Sequence, residues 1–126
     1  MNLLKVGVIH TPFEKLDDCP NNVSSTGPEC TLEIDSPYQE ALIGLKQGQK
    51  ILVLYWLDKA DRKPVVQVNI HKKNKEQLGT FALRSPNRPN PIGASEVIIE
   101  SINENIILVK GLDCLNGTAI IDIKPA

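Results

Sequence analysis

Apolar residues in this chain gather in short runs separated by polar, proline- and glycine-rich stretches, a spacing that predicts strands rather than long helices. Leu3 to Ile9 (LLKVGVI) reads as a largely buried first strand ending at His10-Thr11-Pro12. Thr31 to Ile34 alternates as a short strand, and Ile51 to Leu57 (ILVLYWL) is a continuous apolar run, the signature of a buried central strand. Pro64 to Ile70 alternates with Gln67 and Asn69 on one face. Val97 to Glu100 and Ile106 to Lys110 are predicted strands joined through Asn103-Glu104-Asn105. Asp113 to Thr118 (DCLNGT) carries the Asn-Gly hairpin signal and leads into a last strand, Ala119 to Ile123.

One segment departs from this pattern. At Ser36-Pro37-Tyr38-Gln39 a helix is predicted to start, with Ser36 as cap, Pro37 at the first helical position and Gln39 completing a capping box. Tyr38, Ala41, Leu42 and Leu45 then share one apolar face, and the helix is expected to end near Gly48. Pro12 to Thr31 holds no sustained period and reads as a long loop; loops beyond about 12–15 residues are usually functional or disordered. Seven or so strands with one short α-helix predict a mainly β fold, a small closed or partly open β-barrel. No internal repeat or linker interrupts it, so residues 1–126 are expected to form a single domain.

Composition narrows the setting. No window approaches the ~20 apolar residues of a membrane span, and the first residues lack a signal-peptide core, so a soluble cytoplasmic protein is expected. Cys19, Cys30 and Cys114 are odd in number and far apart, which predicts reduced thiols and no metal site. Net charge is −1, which as a total speaks against nucleic acid. Its distribution does not. Residues 1–58 carry four Lys/Arg against eight Asp/Glu, a net of −4. Residues 59–88 carry eight (Lys59, Arg62, Lys63, Lys72, Lys73, Lys75, Arg84, Arg88) against two, a net of +6, and residues 89–126 two against five, a net of −3. A basic middle between acidic ends suits a phosphate-facing patch, with Lys72, Lys73 and Lys75 as candidate phosphate contacts; a solvated turn is the alternative.

Gly79 to Ser95 (GTFALRSPNRPNPIGAS) is the most unusual stretch. Pro86, Pro89 and Pro91 fix their own φ and bias the residues before them toward extended geometry. A stiff loop then presents Arg84, Asn87, Arg88 and Asn90 with little entropy left to lose on binding. A rigid connector between strands, or a PxxP ligand, would read similarly.

RSPNRPNPIG, the downstream GLDCLNGTAIIDIKP, HTPF at His10 to Phe13 and ALIGLKQGQKILVLYWL occur in that family's order, and together resemble the TsaA/TrmO-type family of tRNA methyltransferases. The resemblance implies a small β-barrel, usually a homodimer, that binds S-adenosylmethionine and methylates N6 of threonylcarbamoyladenosine in tRNA. It also implies the cofactor positions: Arg84, Ala94 and Cys114, Leu115, Asn116, Gly117 and Thr118, with Arg84 on the methionine carboxylate. Asn22 stands where a glutamine is usual, Asp58-Lys59 where a histidine is frequent, and Asn116 where relatives carry aspartate. Composition alone points nowhere near this cofactor, because no GxG occurs and neither the dinucleotide fingerprint nor a P-loop is present.

Methyl transfer from a sulfonium needs alignment above all, with a base only if the attacking nitrogen is weak. Asp113 and Asp122 are the candidate bases. Arg88, with Asn87 and Asn90, is the candidate substrate contact, since a guanidinium fork suits the carboxylate of a threonylcarbamoyl group. Two other classes fit less of the pattern: methylation of a small metabolite, suggested by a short chain, and a non-catalytic nucleic-acid-binding barrel. The latter wants exposed stacking aromatics.

Overall fold

The computed structural model describes residues 1–68 and 76–126. Lys72, Lys73 and Lys75 lie outside them. Nine strands are present among the described residues: β1 (Gly7–His10), β2 (Glu29–Ile34), β3 (Lys50–Trp56), β4 (Val66–Val68), β5 (Gln77–Gly79), β6 (Ile92–Ile98), β7 (Ser101–Asn103), β8 (Ile106–Lys110) and β9 (Thr118–Pro125). No helix among these residues is long and apolar enough to cross a membrane. The chain divides into two units, Met1–Trp56 with Gly93–Ala126, and Leu57–Ile92.

The first unit is one seven-stranded sheet in the order β6-β3-β9-β1-β2-β8-β7. Its two edge strands, β6 and β7, are consecutive in the chain and separated only by residues 99 and 100. Three residue steps span at most about 10 Å, so the sheet must curl until its edges approach. Ile99 N donates to Gln49 O on one side of the join and Glu100 N to Leu108 O on the other (2.9 and 2.8 Å). The result is a mainly β, barrel-like unit that stays partly open.

Its interior follows from the period of two. Ile51, Val53 and Tyr55 on β3 alternate inward, as do Ile107 and Val109 on β8 and Leu32 and Ile34 on β2. Ile9 is fully buried at the centre, opposite Leu32 on one side and Thr118 on the other. One irregularity sits in this core. The β3–β9 register shifts between Leu54, opposite Asp122, and Tyr55, opposite Ile120. The extra residue, Ile121, is on β9, so β9 bends there while β3 keeps its inward alternation through Tyr55.

Four expectations need correction. Of the apolar run Leu3 to Ile9 only Gly7 to Ile9 enters β1; Leu3 and Leu4 precede it, 50% and 65% exposed. The short helix lies where predicted but winds as a 3-10 segment, Ser36–Leu42, with Asp35 at its N-cap and no side-chain cap bond. The Asp35 carboxylate is instead engaged by Lys5 Nζ at 2.9 Å. No residue of the segment is buried, so no packing rewards a longer α-helix, and Gly44 (φ +100°) ends the winding. The proline-rich stretch is shorter than expected: β6 begins at Ile92, directly after the last proline, once every residue again has an N–H to pair. Finally, the Asn-Gly turn is no hairpin. It joins β8 to β9, which have β2 and β1 between them in the sheet. Leu112 and Cys114, 0% and 4% exposed, pin the approach to the turn into the core.

The second unit holds the β4–β5 ribbon, the 3-10 turn Thr80–Ala82 and the proline loop. Val66 pairs with Gly79 and Val68 with Gln77.

Candidate functional site

Two motif blocks that lie a hundred residues apart are locked together in the first unit. Thr11 Oγ1 donates to Cys114 O (2.9 Å), and Thr11 N donates to Asn116 Oδ1 (3.1 Å). Asn116 N and Gly117 N donate in return to Phe13 O and Ile9 O, both at 2.8 Å. Asn116 Nδ2 donates to Glu14 Oε1 at 2.9 Å. The HTPF segment and the DCLNGT turn therefore form one rigid body. Asn116 has a defined use here: an amide both accepts from Thr11 and donates to Glu14, whereas a carboxylate would face Glu14 with like charge.

Thr118 N and Oγ1 both donate to Leu115 O (3.3 and 2.6 Å). The N–H groups of Asn116, Gly117 and Thr118 are thus engaged within the protein. Gly117 has φ +88°, and a Cβ built there would meet nothing within 4 Å, so the tip of the turn is open. At the base of the turn, Gly111 (φ +81°) packs against the loop before β2. Its O accepts from Ser24 N (3.0 Å) and its N donates to Pro28 O (2.9 Å).

Behind the turn lies a buried polar chain. Tyr55 Oη is 2.6 Å from Ser95 Oγ and donates to Asp113 Oδ1 at 3.3 Å. Burial pushes the Tyr55 phenol well above its ordinary range, and the Asp113 charge adds to it, so the hydroxyl stays protonated. Cys114 is pushed up to about 12, first by burial and then by Asp113 and Cys30. Burial and the Asp113 charge also raise Cys19, and burial raises Cys30. All three cysteines are free, and none is a thiolate nucleophile at neutral pH.

Asp122 has a different environment from Asp113. On β9 its Oδ1 accepts from Ile123 N (2.9 Å) and its Oδ2 pairs with Lys124 Nζ (2.8 Å), which makes it a strand-surface residue rather than a member of this cluster. Asn22 is exposed in the loop before β2, and Ala94 is half-buried on β6.

Asp58, Lys59, Arg84, Asn87, Arg88 and Asn90 belong to the second unit. There the proline loop is held by side chains the sequence reading passed over. Arg62 Nε donates to Pro89 O (2.8 Å) and its Nη2 to Asn90 Oδ1 (3.3 Å). Gln67 Nε2 donates to Asn87 O (2.7 Å) and Thr80 Oγ1 (2.9 Å), while Asn87 Oδ1 accepts from Asp61 N (3.0 Å). Arg88 Nη1 donates to Leu83 O and Ser85 O, both at 3.0 Å. Asn87, Arg88 and Asn90 thus act first as internal braces. Arg84 and Phe81 are exposed, the latter at 87%.

Thr11, Tyr55 and Ser95 are the residues of the first unit's cluster that sequence reasoning missed. A hydroxyl inside ILVLYWL was a usable signal, because a buried tyrosine O–H requires a partner.

Comparison with known proteins agrees with this geometry. The family described as tRNA-methyltransferase O N-terminal domain matches residues 8–126. A probable S-adenosyl-L-methionine-binding protein, VirR of Rhizobium radiobacter, is 43% identical over 98% of this chain and 70% of its own length. An S-adenosyl-L-methionine-binding protein of Archaeoglobus fulgidus is 36% identical over 98% of this chain and 88% of its own. A crystal structure of TrmO from Pseudomonas aeruginosa superposes with a TM-score of 0.80 at 31% identity; it covers all of this chain, which spans 55% of that one. Family match, sequence identity and overall fold agree: the chain belongs to the tRNA-methyltransferase O N-terminal domain family.

Proposed function

We propose that this protein is an S-adenosylmethionine-dependent methyltransferase whose acceptor is N6 of threonylcarbamoyladenosine in tRNA, acting as a cytoplasmic homodimer of single-domain chains. The observation that carries the reading is the locked pair of motif blocks, His10 to Phe13 and Asp113 to Thr118. It gives a rigid turn with an open tip, within a chain matched by the family from residue 8 to its end. The donors of Asn116, Gly117 and Thr118 are engaged internally, so the turn fits the cofactor as an acceptor surface, suited to the exocyclic amine of an adenine. Ala94, Cys114 and Leu115 would supply further wall, and Asn22, Asp58 and Lys59 further contacts. Arg84 would take the methionine carboxylate.

The cofactor supplies an electrophilic methyl group on a sulfonium. The chain's own part is to bind, align and exclude competing nucleophiles. Protonated Cys114 fits that task, since a thiolate in the same place would itself be methylated. Calorimetry should show saturable binding of S-adenosylmethionine, and Arg84→Ala should weaken it by about 1.5–3 kcal/mol through loss of a charge-assisted hydrogen bond. No heat at millimolar cofactor would defeat the reading; unchanged affinity in the variant would remove Arg84 alone.

The tRNA acceptor is supported by charge and by one ring. Residues 57–92 carry eight Lys/Arg against three Asp/Glu, a net of +5, and Phe81 is presented to solvent on the same unit. Exposed aromatics beside basic residues suit unstacked bases. Single-turnover methylation of matched tRNAs should require the threonylcarbamoyl group, whose carboxylate Arg88 would meet. Equal rates with and without the group would refute that acceptor. Turnover on neither, with cofactor bound, would move the assignment to a small metabolite.

A further inference from the structure

The hydroxyl chain behind the turn has a fixed direction. An ionised Asp113 can only accept, so the Tyr55 Oη proton is committed to Oδ1 at 3.3 Å. Tyr55 Oη must then accept from Ser95 Oγ at 2.6 Å. Both hydroxyl residues are buried, at 4% and 6% exposure. The tyrosine ring is held as tightly as its hydroxyl: Gly93 lies against it so closely that a Cβ there would sit 2.4 Å from Cε2. The β3–β9 register shift falls at this residue. Gly93 against the ring and Ser95 on the hydroxyl together constrain the position of one phenolic oxygen.

We propose that Tyr55, oriented by Ser95, is a positioning residue that holds the Asp113 carboxylate ionised and in place as the proton acceptor of methyl transfer. The role rests on the methyltransferase reading above. As the acceptor nitrogen bonds to the methyl carbon, the carbon–sulfur bond breaks with its electron pair left on sulfur. The nitrogen's proton passes to Asp113. Tyr55 from β3, Cys19 from the loop before β2 and Cys114 beside it are among the groups that interact electrostatically with Asp113, with Cys30 behind Cys114. The thiols and the phenol are held neutral, so none of them competes with Asp113 as an anion.

A hydrogen bond to the charged form favours that form. Removing it should therefore raise the Asp113 pKa and leave less carboxylate at acidic pH. Tyr55→Phe keeps the ring against Gly93 and removes only the oxygen. In a 13C-carboxyl NMR titration the Asp113 midpoint should rise by about one pH unit in Tyr55→Phe, with a smaller rise in Ser95→Ala. An unchanged midpoint would overturn the positioning role. The acidic limb of the kcat/KM profile should move up with the midpoint, and Tyr55→Phe should change nothing further in an Asp113→Asn background. A shifted midpoint with an unmoved limb would remove Asp113 as proton acceptor. The NMR titration needs no substrate, so it decides the Tyr55–Asp113 pair even if no methyl transfer is found.

Discussion

Gly111→Ala should destabilise the protein by about 4 kcal/mol, more than any other single methyl added to the first unit. Two costs combine. At φ +81° an L-residue is strained, by about 1–2 kcal/mol. The new Cβ would also fall 1.5 Å from Ser24 O, 2.5 Å from Ser24 C and 3.1 Å from Ser24 N. These are backbone atoms, with no flexible side chain to swing aside. Relief requires breaking the Ser24 N–Gly111 O and Gly111 N–Pro28 O bonds that hold the long loop before β2. Gly117→Ala is the control. It has a similar φ, +88°, but its Cβ would meet nothing within 4 Å, so only the strain applies and about 1 kcal/mol is expected. Urea denaturation of the two variants separates the effects. Equal losses would show that the loop yields freely and that Gly111 is needed only for its dihedral.

Ile9→Ala should cost about 3–4 kcal/mol, and Ile9→Val about 1 kcal/mol. Ile9 is wholly buried, flanked in register by Leu32 on β2 and Thr118 on β9. Strands on both sides limit how far the core can collapse into the space. The same residue also links fold to site, because its carbonyl accepts from Gly117 N across the motif lock. A backbone carbonyl survives the substitution, so cofactor affinity should fall far less than stability. Thermal denaturation with and without S-adenosylmethionine measures both. A loss under 1 kcal/mol for the alanine variant would place Ile9 at a site that refills. A loss of affinity as large as the loss of stability would mean the core and the turn are one mechanical element.

Much of the strand pattern was legible because burial on one face writes itself at period two. ILVLYWL and the run from Ile106 became strands within a residue of their expected bounds, whereas of LLKVGVI only Gly7 to Ile9 did. The helix was readable in position but not in type, since capping residues mark a start and only packing decides how far an α-helix is worth winding. Asn-Gly misled for a related reason. It specifies a tight turn, whereas a hairpin also needs the flanking segments to pair, and β1 and β2 lie between β8 and β9.

Residue type and spacing were enough for the family and the β class, because motif blocks and short apolar runs are local features of the chain. Partnership depended on the fold. That Asn116 braces Thr11 and Glu14, that Asp113 meets Tyr55 while Asp122 meets Lys124, and that Arg62 and Gln67 hold the proline loop depend on strand order and on one register shift in β9. Side-chain hydrogen bonds between residues up to 105 positions apart leave no periodic trace in the chain. They exist because buried donors and acceptors must find partners wherever the sheet brings them.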